Sequence, residues 1–183
     1  SDTDTDTDPP PSRPPLPGEL VVSEIMISPT AVAEDRGEWF EVYNASDHRL
    51  NLWGLVIRDA DGEEVEIPMG PRIEMEPGAY GTICRHGVSQ ENGGALCIWD
   101  WSEVKGTLSF VNSSDELILE FEKQEIDQVI YDLDWDFRDG VAKGVRETSL
   151  TAEANDSAGA WCHQTTTMAD GDRGTPGSVN DGC

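Results

Sequence analysis

Short apolar runs cut apart by turn residues limit most strongly what this chain can fold into. Residues 20–27, 38–44, 50–59, 65–67, 79–84, 108–111, 116–121, 126–131 and 145–150 are rich in β-branched and aromatic side chains. Between them stand Ser28-Pro29, Asn44-Ala45-Ser46-Asp47, Asp61-Gly62, Glu76-Pro77-Gly78 and Asn112-Ser113-Ser114-Asp115. These turn sequences supply Asx turns, a fixed proline φ or a glycine at φ > 0. No stretch sustains the 3.6-residue apolar period of a helix. About eight or nine short strands at this spacing imply an all-β sandwich or barrel. In the first run Val21, Ile25 and Ile27 are expected on one face, with Val22, Glu24 and Met26 on the other. In 116–121, Leu117, Leu119 and Phe121 are expected inward. Gly54 inside 50–59 marks a bulge or a close backbone approach.

The 183 residues suit one domain with a tail. Residues 1–18, SDTDTDTDPPPSRPPLPG, combine self-repelling Asp with prolines, so they are expected to form a disordered linker or stalk. The domain is then expected over 19–183. The longest stretches without strand character are 85–107 and 151–183.

The chain carries 37 Asp+Glu against 12 Lys+Arg, a net charge of -25. Nucleic-acid binding depends on cations that neutralise phosphates, so no nucleic-acid partner is expected. Docking on an anionic membrane is disfavoured for the same reason. Much of the acidity is expected to serve solubility. No apolar run approaches the ~20 residues of a membrane-spanning helix.

Four cysteines stand at 84, 97, 162 and 183, without C-x-x-C or zinc spacing. An even count at wide spacing suggests two disulfides, and four cysteines allow three pairings. Local closure favours Cys84–Cys97 and Cys162–Cys183. Disulfides persist in oxidising compartments, so the expected location is extracytoplasmic, secreted or at the cell surface. The chain begins at Ser1, which is read as a mature form whose export signal has been removed. An Asp-rich stalk also suits the residues after a lipidated N-terminal Cys.

The order and spacing of several motifs resemble the lamin tail domain family, in its exported bacterial form. They are VVSEIMISP at 21–29, EWFEVYNASDHRLNLWGLVIRD at 38–59, MEPGAYGTIC at 75–84, VNSSDELILEF at 111–121, EIDQVIYD at 125–132 and GTPGSVND at 174–181. The resemblance implies an immunoglobulin-like β-sandwich. It also implies a non-catalytic interaction or scaffold module, because no catalytic residues come with the family.

The remaining chemistry is sparse. G-x-S-x-G, H-E-x-x-H and phosphate-binding glycine loops are missing from the sequence. His48, His86 and His163 lie far apart. No catalytic residue and no cofactor are expected, calcium being the one candidate. Asp132, Asp134 and Asp136 would share a face if the chain there were extended, and hard cations take several oxygens. The segment is not an EF-hand, since Phe137 and Lys143 occupy its glycine and glutamate positions. Trp99 and Trp101 flank Asp100 in 91–101 and could stack a sugar ring. Trp39, Trp53 and Trp161 are expected in the core. Sequons occur at Asn44, Asn112 and Asn155, and the first two fall on tight turns whose geometry explains them.

The expectation is therefore a monomeric, non-catalytic surface module whose partner is a protein or a glycan. The alternatives are a carbohydrate-binding domain using 91–101, or the accessory domain of a secreted hydrolase.

Overall fold

The computed structural model describes residues 11–70 and 72–182. Among them thirteen strands follow in chain order. They are β1 Leu20–Met26, β2 Trp39–Asn44, β3 Leu50–Asn51, β4 Val56–Arg58, β5 Glu64–Glu66, β6 Glu74–Met75 and β7 Tyr80–Cys84. Then come β8 Cys97–Asp100, β9 Gly106–Thr107, β10 Asp115–Phe121, β11 Gln124–Tyr131, β12 Lys143–Val145 and β13 Trp161–His163. One sheet has the order β13-β12-β1-β2-β7-β8, a second has β11-β10-β4-β5-β9, and β3 pairs with β6. Val22, Ile25, Phe40 and Val42 of the first sheet share one core with Ile57, Val65, Leu117 and Leu119 of the second. This is the expected sandwich: two pleated sheets, each with one apolar face, bury those faces against each other.

Several local expectations are corrected. Residues 50–59 do not form one strand. Gly54, at φ +78°, turns the chain between β3 and β4, a conformation that L side chains avoid. Residues 108–111 are not a strand; β9 precedes them at Gly106–Thr107. Beyond Val145 the expected strand becomes a 3₁₀ turn at Glu147–Ser149. The stretch 85–107 contains β8, which pairs parallel to β7.

In β1 a register shift between Val22 and Glu24 breaks the expected alternation. The extra residue moves Val22 onto the face of Ile25 and Ile27, all three in the main core. Glu24 and Met26 occupy the opposite face, which is buried as well.

The stalk was expected to run to Gly18, but residues 11–18 lie against the domain. Arg13 bridges to Leu50, and its guanidinium donates to both oxygens of Glu19 at 2.6 Å. Ser12 donates to Glu74 at 2.6 Å, Pro15 is buried, and Gly18 N–H donates to Ile126 O at 2.8 Å. The rest of the expected stalk, residues 1–10, lies outside the described residues.

Candidate functional site

Cys84 and Cys97 are joined by a disulfide that ties β7 to β8. The other expected bridge, Cys162–Cys183, ends on a residue outside the described ones. Asn92 organises the loop before β8. Its side-chain amide donates to His86 O and Ala95 O, and its oxygen accepts from Ala95 N–H at 3.0 Å.

The loop does not present Trp101. That side chain is 5% exposed, packs with Phe40 and Phe110 at 6.2 Å, and donates its indole N–H to Leu108 O at 3.0 Å. A buried indole with its donor satisfied is a core anchor, which overturns Trp101 as a sugar platform. Trp99 is half-buried and packs against the same core.

The acidic segment is not extended. Leu133–Trp135 form a 3₁₀ turn, and Asp132 caps it by accepting from Asp134 N–H at 2.9 Å. Asp136 sits at φ +52° and accepts from Arg138 at 2.9 Å, and that guanidinium holds its carboxyl below the usual range. Trp135 turns inward and packs on Trp161 at 5.5 Å. The shared face proposed for Asp132, Asp134 and Asp136 is therefore not formed. Among the described residues no group of three or more His, Cys, Asp or Glu could hold a metal ion.

The histidines stand apart: His48 beside Asp47, His86 beside Glu91, and His163 against Asp136. Of the sequon residues, Asn44 and Asn155 are fully buried. Asn44 donates to His48 O and Met75 O and so closes the β2–β3 turn.

Strand patterning failed to mark the most unusual chemistry, a set of buried carboxyls. Glu24 and Glu41, neighbours across β1 and β2, are fully buried. The segment 174–181 wraps over them. Thr175 donates its N–H and hydroxyl to Glu24, at 2.9 and 2.8 Å. Gly177 N–H donates to Glu41 at 2.6 Å, as does Ser23 Oγ at 2.8 Å. Asn180 donates to Ser23 O and Val145 O.

Thr175 Oγ1 also lies 3.2 Å from Gln164 Oε1 and 3.1 Å from Asn180 Oδ1, so one hydroxyl proton faces three acceptors. A proton on Glu24 would ease the conflict, leaving that hydroxyl proton between two acceptors in place of three. Burial, and then the charge of Glu41, push Glu24 well above the usual carboxylate range. Burial raises Glu41 to about 8.

Asp127 repeats the pattern on β11. It accepts from Val22 N–H at 2.6 Å and from Asn155 at 2.8 Å, and burial raises it to about 7. Its other oxygen and that of Asn155 are buried without a partner, and a proton on Asp127 turns one of these acceptors into a donor. Burial also lifts Glu38 to about 7, although Arg85 donates to it at 2.6 Å. These carboxyls are spent on backbone N–H, hydroxyl, amide and guanidinium groups of the fold.

A model of the Lamin Tail Domain family matches residues 13–132, from the docked Arg13 to the end of β11. The chain belongs to the lamin tail domain family. It is a family of immunoglobulin-like, non-catalytic domains, and the sandwich fits it. No curated protein matches the chain. The lamin tail match ends before β12, β13 and the 174–181 segment, yet β12 pairs with the family-matched β1, and 174–181 donates to Glu24 of β1 and Glu41 of β2.

Proposed function

We propose that this lamin tail domain is a non-catalytic interaction module carried on an exported protein and tethered through its Asp-, Thr- and Pro-rich N-terminal segment. The observation that carries this reading is the employment of the buried acids. Glu24, Glu41 and Asp127 are held by donors of the fold itself, and each histidine has a different local partner. A hydrolytic site needs an acid, a base or a nucleophile converging on open space. Here the buried acids stabilise closure of the sandwich. The Cys84–Cys97 disulfide supports an oxidising compartment, since such bonds persist there.

The test has two arms. Purified protein is incubated with generic phosphodiester and glycoside substrates, with and without calcium, and turnover at the buffer rate is expected. In the host, antibody staining or added protease should reach the domain on intact cells. Turnover above buffer would sink the non-catalytic reading, and protection from protease in intact but not lysed cells would sink the surface location.

A further inference from the structure

A groove opens where the turn between β3 and β4 meets the end of the β10–β11 hairpin. Its volume is about 590 Å³. Trp53, Val56, Phe121, Met69 and Pro14 supply its apolar lining. Met69 is 84% exposed, a high figure for a large apolar side chain. Glu66, Glu120 and Glu122 stand on the rim. Register explains part of the arrangement: Glu120, Val56 and Glu66 lie in one row across β10, β4 and β5. A second groove of about 740 Å³ continues from it, sharing Val56, Glu66 and Met69 and adding Glu64 and Glu103. Together they make a trough with an apolar floor and a net acidic lining, in which five glutamates stand against Lys105 and Lys123, with Glu120 paired to Arg58 at 3.2 Å.

The hairpin turn adds a second observation. Glu122 and Lys123 lie at φ +50° and +66°. Two-residue hairpin turns of this hand favour Asn-Gly, because most side chains resist φ > 0. Here the turn carries two long charged side chains instead, and both face the groove. Strain of this kind collects where a side chain is needed for a task.

Resting on the reading of the domain as an interaction module, we propose that this trough binds a lysine- or arginine-rich segment of a partner protein that carries apolar anchors. Charge complementarity selects that occupant. The chain's own N-terminal residues are a poor fit, because Asp2, Asp4, Asp6 and Asp8 would meet the glutamate rim. A second copy, at net charge -25, is repelled in the same way. A cationic segment gains from the acidic lining, and its apolar residues bury Met69 and pack along the apolar floor that Val56 and Phe121 help to form.

The probe is a short fluorescent peptide of alternating lysine and leucine, followed by anisotropy on the intact chain. Binding is expected, weakening as salt rises. The pair Glu66→Lys and Glu122→Lys should weaken it by about tenfold or more. The pair Glu153→Lys and Asp170→Lys makes the same charge change on exposed residues outside the trough, and should alter affinity by less than about twofold. Met69→Ser should weaken binding without a change in thermal midpoint, which separates loss of the floor from loss of the fold. Equal losses in both charge-reversal pairs, tight binding of a lysine–serine peptide, or no binding at all would overturn the trough and leave the module reading standing. Cleavage of the peptide would overturn the module reading itself.

Discussion

The two sheets use the same residue in opposite ways. On β1 and β2, Glu24 and Glu41 are sealed beneath 174–181 and raised in pKa by burial. On β5, Glu64 and Glu66 are exposed to solvent. The inner acids behave as polar fasteners whose donors come from a distant part of the chain. The outer acids contribute field and solubility, and they line the trough. The comparison teaches that the net charge of -25 overstates what the folded molecule bears near neutral pH, because its inner carboxyls hold protons longer than its outer ones.

The sharpest way to break this contrast is pH. Unfolded carboxyls release their protons near 4 to 4.5, whereas Glu38 and Asp127 release theirs at about 7 and Glu41 at about 8 in the fold. Between those limits the native state holds more protons than the unfolded chain, so stability falls as pH rises. Their contribution is complete below pH ~4, is lost progressively as pH rises above that, and is gone once pH passes about 8, a fall of several kcal/mol. Urea midpoints from pH 5 to pH 9 measure it. Glu41→Gln should flatten the slope and Glu64→Gln should leave it unchanged. A slope that Glu64→Gln flattens equally would show general charge repulsion and end the distinction.

Next in size is the staple on the edge of the inner sheet. Replacing Cys84 and Cys97 with alanine opens a loop of sequence separation 13 and should cost about 3 kcal/mol in denaturant unfolding. A smaller loss is expected from Thr175→Val, which keeps the shape and the backbone donor but removes the hydroxyl among its three acceptors. About 2 kcal/mol should be lost, with the pH slope altered, since Glu24 would lose its hydroxyl partner. A removal that leaves both stability and slope intact would mean that 174–181 is not the clamp on the inner acids.

Strand patterning located most of the sandwich, because each sheet has one dry face and alternation reports it. The residues that escaped it are those buried on both sides. Glu24 in VVSEIM reads only as a polar position on the face opposite Ile25 and Ile27, and nothing local tells that Thr175, 151 residues later, covers it. The register shift after Val22 compounded the error, since an inserted residue reverses every later assignment of face. The motif GTPGSVND was visible as part of the family resemblance, but its target was not, because long-range burial leaves no local period. Trp101 misled for the converse reason: it sits beside charged and polar residues in sequence, while β8 turns it inward after Asp100. Trp53, expected in the core, is half-buried because the Gly54 turn ends β3 early and brings it to the trough.

The smallest expected stability change sharpens the comparison from the outer side. Replacing Glu122-Lys123 with Asn-Gly gives the hairpin the residues its positive φ angles favour. The variant should gain about 1 kcal/mol in unfolding free energy, because two strained side chains are relieved. Lys123 leaves with Glu122, so the summed charge of the groove is unchanged, and the lysine–leucine peptide should bind more weakly only through the loss of a rim carboxylate that it contacts. Stability and binding would then move in opposite directions from one turn, which no inner-sheet substitution should achieve. Glu41→Gln supplies the contrast: it should alter the pH slope of stability and leave peptide affinity where it was. If the Asn-Gly turn raises stability and leaves binding untouched, the strained turn has no task in recognition and the outer acids serve solubility alone.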